Sequence, residues 1–319
     1  MLELVLGLAC LVAGVAVLAY TSDKAVEHSI SISSEWGLPP LIVGLVLVSF
    51  GTNLPEISTN TLSCALGHGD IAVGDSLGSV LANMTLILGL LPFLAGTFKA
   101  KRKEVAVIEA CEVLALMLAV AVAEKGNISQ IDSLFLVTSW PIFMLLIRSA
   151  TARNPGEKEK GAVKPTNKRQ RHHFWIAILG FVGVAIGSMT VIESVIVLSK
   201  VFHVSEYLIS FFVVAVGTSL PEFVVNLTAA RKGQYELAIG DLMGSSLLDA
   251  SFSIGIGPLI FPVGVSGNLA LVTGLYAMLV STVVVLTLAS REKVGKITGA
   301  FFIFLYLLSY ATLGYTRDF

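Results

Sequence analysis

The chain has 319 residues, 55% of them hydrophobic and 13% charged, with a mean hydropathy of +0.84. That is too little charge to cover a water-soluble domain of this size, so the sequence reads as an integral membrane protein. The formal net charge of −1 offers no basic surface to nucleic acid or another acidic polymer, and no obligate protein partner is evident, which leaves the lipid bilayer as the main surrounding.

The opening Met1-Leu2-Glu3-Leu4 lacks the basic region of a cleavable signal, so the first apolar run is expected to remain as a helix. Runs that reach the ~20 residues needed to cross a bilayer fall near 2–30, 38–66, 70–95, 104–123 and 131–150. A polar break follows, with Pro155, Gly156, Gly161 and Pro165 among many Lys and Arg residues, and it reads as a linker. Further runs lie near 173–200, 206–231, 236–260, 268–290 and 296–316. The expected fold is an all-α polytopic membrane protein with ten transmembrane helices. It divides into a five-helix half over 1–150, a basic linker over 151–172 and a second five-helix half over 173–319.

Threading ten helices alternately through the bilayer puts all 21 basic residues except Lys125, Lys200 and Arg317 on one side. The positive-inside rule makes that side the cytoplasm, with the linker inside, both termini outside and the plasma (inner) membrane as location. An odd number of helices in each half then gives the halves opposite orientations.

The halves are also related in sequence. Gly51-Thr52-Asn53-Leu54-Pro55-Glu56 returns 166 residues later as Gly217-Thr218-Ser219-Leu220-Pro221-Glu222. At the same offset Asn60 matches Asn226, Gly67 matches Gly233, and Gly74-Asp75 matches Gly240-Asp241. Gly78-Ser79 matches Gly244-Ser245, Gly89 matches Gly255 and Pro92 matches Pro258. An inverted repeat of this kind implies a transporter with its substrate site near the midplane, where the halves meet.

Each repeat carries a Glu deep in an apolar run, where a charge is costly unless it faces a cavity or a partner. Pro55 and Pro221 give no amide hydrogen to the helix, and Gly51 and Gly217 weaken the turn before them, so a broken helix is expected beside each Glu. On the helix that follows, Ser79 and Asn83 lie one turn apart on one face, as do Ser245 and Asp249. Gly78 and Gly244 would let another backbone approach closely. The two motif regions, 51–83 and 217–249, therefore collect Glu56, Thr52, Asn53, Ser79 and Asn83 with Glu222, Thr218, Ser219, Ser245 and Asp249. All are oxygen donors, a set suited to Ca²⁺ and Na⁺ rather than to Zn²⁺ or Cu⁺. Glu56, Glu222 and Asp249 bring up to three negative charges, and competition for one acidic pocket is a sufficient physical basis for exchange.

The paired Gly-Thr-(Asn/Ser)-Leu-Pro-Glu and Gly-Asp-x-x-Gly-Ser motifs resemble the alpha repeats of the cation/calcium antiporter superfamily, most closely those of the prokaryotic sodium/calcium exchangers. The resemblance covers nearly the whole chain. It implies that Glu56 and Glu222 hold Ca²⁺ centrally and that Na⁺ sites around it share the remaining ligands. It adds two ligands that spacing alone does not suggest, the backbone carbonyls of Ser49 and Ala215. It also implies Na⁺ in excess over Ca²⁺, electrogenic exchange by alternating access, sliding first and sixth helices, and no cofactor. Asn53 departs from the Ser usual in the family, and Asp75 and Asp241 stand where Asn is common. Asp249 also resembles the potassium-dependent exchangers, so K⁺ co-transport stays open.

Rival readings are a Ca²⁺/H⁺ antiporter with Asp75, Asp241 or Asp249 as proton carriers, and a cation channel. The neutral oxygens around each Glu argue for Na⁺ over protons, and an internal two-fold argues against a channel built from symmetric subunits. An enzyme is not indicated, since there is no His-Glu-x-x-His, Ser-His or Ser-Lys pairing and no nucleotide-binding loop. Asn60 and Asn226 read as interhelical hydrogen-bonders, and Glu27 and Glu193 as interfacial. The five histidines read as solvated, and Cys10, Cys64 and Cys111 as packed thiols.

Overall fold

The computed structural model describes residues 13–32 (except 15, 18 and 19), 39–99, 102–151, 172–190 (except 185, 188 and 189), 207 and 210–314 (except 292). The first half begins with α1 over 20–32. Next come α2 (Pro40–Thr52) and α3 (Leu54–Ala65), set at 45° to each other, and then α4 (Gly69–Leu94). Helices α5 (Arg102–Ala123) and α6 (Gln130–Thr151) complete it. The second half repeats the series with α7 (His172–Val184), the pair α8 (Ser210–Thr218) and α9 (Leu220–Arg231), again at 45°, and α10 (Tyr235–Ile260). It ends with α11 (Gly267–Ser290) and α12 (Lys296–Gly314).

Five of these helices are long and apolar enough to cross a bilayer, and counting each bent pair as one crossing raises this to seven. Helices α7 and α12 are shorter and apolar. Much of the predicted runs 2–30 and 173–200 lies outside the described residues. Leu134, Phe135 and Leu145 of α6 and Leu279 and Leu286 of α11 are exposed, which suits a lipid-facing wall and not water.

Both breaks follow from the proline. Pro55 and Pro221 enter the first turn of α3 and α9, where a missing amide hydrogen costs nothing. The residue before each new helix, Asn53 or Ser219, takes φ/ψ of −76/3° or −80/5°, outside the helical range, and the chain turns there. Gly51 does not end α2. It stays helical, and the Phe181 ring of α7 lies where a side chain at this position would be, so only glycine fits. The turns into α4 and α10 also match: Gly67 and Gly233 have φ of 83° and 74°, which glycine adopts without strain. In the same turns the amides of His68 and Gln234 donate back to the carbonyls of Ser63 and Ala229 at 2.8 and 2.9 Å.

The repeats exchange partners. Helix α2 lies along α10, and α8 lies along α4. A β-carbon on Gly244 would meet Leu45 backbone, and one on Gly78 would meet Phe211 backbone, so the predicted close approach occurs at both. Helix α5 packs on α11, α6 on the C-terminal half of α10, and α12 on that of α4. A two-residue antiparallel pair, β1 (Asn127–Ile128) with β2 (Val263–Gly264), ties the α5–α6 loop to the α10–α11 loop. The Phe98–Val294 bridge ties the α4–α5 loop to the α11–α12 loop. The 166-residue offset carries Phe98 onto Gly264 and Ile128 onto Val294, so the two ties are equivalents under the internal two-fold.

One expectation fails at the surface. His172 and His173 open α7 instead of lying in the linker, and His28 Nδ1 sits 2.7 Å from His173 Nδ1. His28 and His173 therefore join α1 to α7 and are not simply solvated, whereas His172 is exposed. Glu27 is exposed and paired with Lys24 at 2.9 Å, as an interfacial residue would be, whereas Glu193 and His203 lie outside the described residues. Cys64 and Cys111 are buried free thiols, and Cys10 lies outside the described residues.

Candidate ion-binding site

The two helix breaks face each other in the interior through α4 and α10. Every predicted ligand is buried there, none more than 1% exposed: Ser49, Thr52, Asn53, Glu56, Ser79 and Asn83 from the first half, and Ala215, Thr218, Ser219, Glu222, Ser245 and Asp249 from the second. Each break ends one helix and starts another. Carbonyls at the end of α2 or α8 thus gather beside the Glu in the first turn of α3 or α9, and both features draw a cation.

The contacts that assemble the site cross between repeats. The Thr218 hydroxyl donates to Asp75 Oδ1 at 2.8 Å and lies 3.5 Å from Ser79 Oγ. In the mirrored position Thr52 lies 3.4 Å from both Asp241 Oδ1 and Ser245 Oγ. Asn53 Nδ2 donates to Asp249 Oδ1 at 2.9 Å and to the Ser245 carbonyl at 3.3 Å. A threonine whose proton goes to a carboxylate keeps its lone pairs free for a cation. Asp75 and Asp241, left open by sequence, are thus positioned to orient the two threonines. Asn60 and Asn226 are interhelical, as expected, donating to Ser76 Oγ at 2.8 Å and to Asp241 Oδ2 at 2.6 Å.

Against this bonded frame, both carboxylate oxygens of Glu56 and both of Glu222 are enclosed and accept no hydrogen bond. Thr52 stands beside Glu222 without hydrogen-bond geometry. Asn53 Oδ1, Ser219 Oγ, Asp249 Oδ2 and both amide atoms of Asn83 are also unpartnered. Glu56 lies within electrostatic range of Glu222 and Asp249, so the unpartnered oxygens share one region. Buried carboxylates are normally paired or coordinated, and among the described residues no cationic side chain pairs with these. Among the described residues no three His, Cys, Asp or Glu side chains are placed to hold a metal ion by themselves. A cation between Glu56 and Glu222 would therefore need the neutral oxygens as well, which is the composition the motifs supply. The Ser49 and Ala215 carbonyls each accept an amide at 3.0 Å and a threonine hydroxyl at 3.2 and 3.1 Å. At Ala215 the shorter bond to Asp75 draws that proton away and leaves a lone pair available.

Two features of the site are absent from the sequence reading. Four segments are π-helical: Gly44–Val48, Ala82–Ile87, Ser210–Val214 and Asp249–Ser253. Asn83 and Asp249 sit in two of them, and such turns are costly and recur at functional positions. Glu109 and Glu112, both buried in α5, are the other.

The pattern of the family described as "Sodium/calcium exchanger protein" matches residues 6–148 and 172–314, two stretches separated by the same 166-residue offset. The inner membrane protein YrbG of Escherichia coli is 29% identical over 96% of this chain and 97% of its own length. The sodium/calcium exchanger MaX1 of Methanosarcina acetivorans is 23% identical over 98% of both chains. A solved structure of the sodium-calcium exchanger NCX_Mj superposes with a TM-score of 0.79 at 24% identity, covering 97% of this chain and 99% of that one, and shares its fold.

Proposed function

The chain belongs to the sodium/calcium exchanger protein family, and on that premise we propose that it is a secondary antiporter exchanging Na⁺ for Ca²⁺ across the membrane. The observation that carries this reading is the set of four enclosed, unpartnered carboxylate oxygens of Glu56 and Glu222 at two related helix breaks, ringed by neutral oxygens. Ca²⁺ takes both glutamates with Thr52, Thr218 and backbone carbonyls. Na⁺ takes overlapping sets that include Asn53, Ser79 and Asn83, and Ser219, Ser245 and Asp249. Because the sets share ligands, filling one empties the other, and the carboxylates are neutralised by either cargo.

In this reading transport is electrogenic, with more than one Na⁺ per Ca²⁺, and proceeds by alternating access as α1 and α7 slide over the rest. The halves are 1–150 and 173–319, the 151–172 linker lies in the cytoplasm, and both termini lie outside the plasma membrane. No cofactor enters. The bonds from Thr218 to Asp75 and from Asn226 to Asp241 favour positioning over proton carriage for these acids.

The test is uptake of radioactive Ca²⁺ into proteoliposomes loaded with Na⁺, K⁺ or choline, or at acid pH, and diluted into Na⁺-free buffer. Uptake from Na⁺-loaded vesicles alone is expected, and uptake driven by acid loading alone would make the protein a proton antiporter. Glu56→Gln and Glu222→Gln should each lower uptake at least about a hundredfold, since each removes a charged ligand. Near-wild-type uptake in either variant sinks the site assignment.

A further inference from the structure

Glu109 and Glu112 stand one turn apart on α5 and are 6% and 0% exposed. Glu112 Oε1 accepts a hydrogen bond from Ser281 Oγ of α11 at 3.1 Å, while Glu112 Oε2 and both oxygens of Glu109 are enclosed without a partner. Glu112 lies within electrostatic range of Glu109 and of Asp249. Helix α5 packs both on α11 and on the π-helical turn of α10 that carries Asp249. The fold does not require acids here, because the internal two-fold places Leu275 and Met278 at the matching positions of α11. Two unpartnered carboxylates in a buried interior need a proton each or a bound cation, and among the described residues their surroundings supply one hydroxyl and no cationic side chain.

We propose that Glu109, Glu112 and Ser281 form a second cation-binding site, beside the site of Glu56 and Glu222, for a monovalent alkali ion. All donors are oxygens, which selects a hard cation. Their number falls short of the 6–8 oxygens, roughly, that Ca²⁺ takes. The site extends away from Asp249 toward the Arg102 end of α5. Glu109 lies ~4.5 Å further along the axis than Glu112. Binding at this site does not depend on the antiporter reading, although its coupling to exchange does.

The experiment is thermal unfolding of the purified protein in Na⁺, K⁺, Ca²⁺ or choline across a pH series, in a Glu56→Gln/Glu222→Gln background that removes the central site. Na⁺ or K⁺ should raise the midpoint by a few degrees over choline, as ligands of the folded state do. Adding Glu109→Gln and Glu112→Gln should abolish the rise. Ser281→Ala, a milder change, should move the titration to about five- to tenfold higher cation concentration. No alkali-specific rise in the background protein, or a rise that survives Glu109→Gln/Glu112→Gln, would overturn the proposal. A midpoint governed by pH alone, or by Ca²⁺ alone, would overturn it in favour of a proton or a divalent ion. If the four-residue variant does not fold, an unshifted Ser281→Ala titration is the overturning result. Failure of Na⁺-driven Ca²⁺ uptake would refute the antiporter reading and leave this binding result standing.

Discussion

At the scale of single residues, the two repeats are alike in composition and unlike in bonding, and their threonines show the difference. Among the described residues Thr218 supplies the only hydrogen bond to the Asp75 side chain, whose Oδ2 is enclosed and unpartnered. Asp241 keeps its bond from Asn226 whatever Thr52 does. Thr218→Val should therefore destabilise the protein by about 1–3 kcal/mol more than Thr52→Val, the cost of leaving a buried polar group unmade. Thermal unfolding of the two variants checks the difference, and equal midpoints would mean that Asp75 finds another partner. Asp249 is held on one oxygen by Asn53 and has the other free. Asp249→Asn should change the dependence of exchange on Na⁺ or K⁺ more than its apparent Ca²⁺ affinity, measured by uptake over a series of internal cations. An unchanged cation profile would make Asp249 structural. Glu56, Glu222 and the oxygens around them were legible in the sequence because proline and an acid inside an apolar run have few explanations. Glu109 and Glu112 were not, since two acids near the end of an apolar run look like an interfacial turn until α11 is seen to cover them. The His28–His173 contact needed α1 and α7 side by side, which no local pattern encodes.

At the scale of elements, the glycines separate two kinds of constraint. Gly67 holds a φ of 83° that only glycine takes without strain and has nothing within reach of an added β-carbon, whereas Gly78 is helical and lies against Phe211 backbone. Gly67→Ala should cost about 1–2 kcal/mol in backbone strain and leave exchange intact. Gly78→Ala should cost about 1–3 kcal/mol by overpacking and push α8, with Thr218, away from Ser79. Its signature would be reduced Ca²⁺ uptake at temperatures where the protein stays folded, and normal uptake there would show that α8 can shift without disturbing the site. The helix breaks were readable from Pro55 and Pro221, but the π-helical turns were not. Neither Ala82–Ile87 nor Asp249–Ser253 contains a Gly or Pro that would mark a departure from the α-helix.

At the scale of the molecule, the family match, the repeated packing and the related loop ties describe one unit used twice. The orientation proposed here has a direct check. With Cys10, Cys64 and Cys111 replaced, a membrane-impermeant thiol reagent added to intact cells should label Lys125→Cys and spare Gly161→Cys in the linker. The reverse pattern would invert the topology. A chain with perfect two-fold symmetry would open to either side at equal energy, because each state would be the other turned over. The Asn53–Asp249 hydrogen bond has no counterpart, since Ser219 Oγ and both amide atoms of Asn83 at the equivalent positions are unpartnered. A difference of this kind lifts the degeneracy. A hydrogen bond made in one state and absent from the other is worth about 0.5–1.5 kcal/mol, enough to tilt a two-state balance about two- to tenfold. In the alternating-access reading proposed above, one amide that the twin half lacks is enough to give a duplicated chain a preferred side.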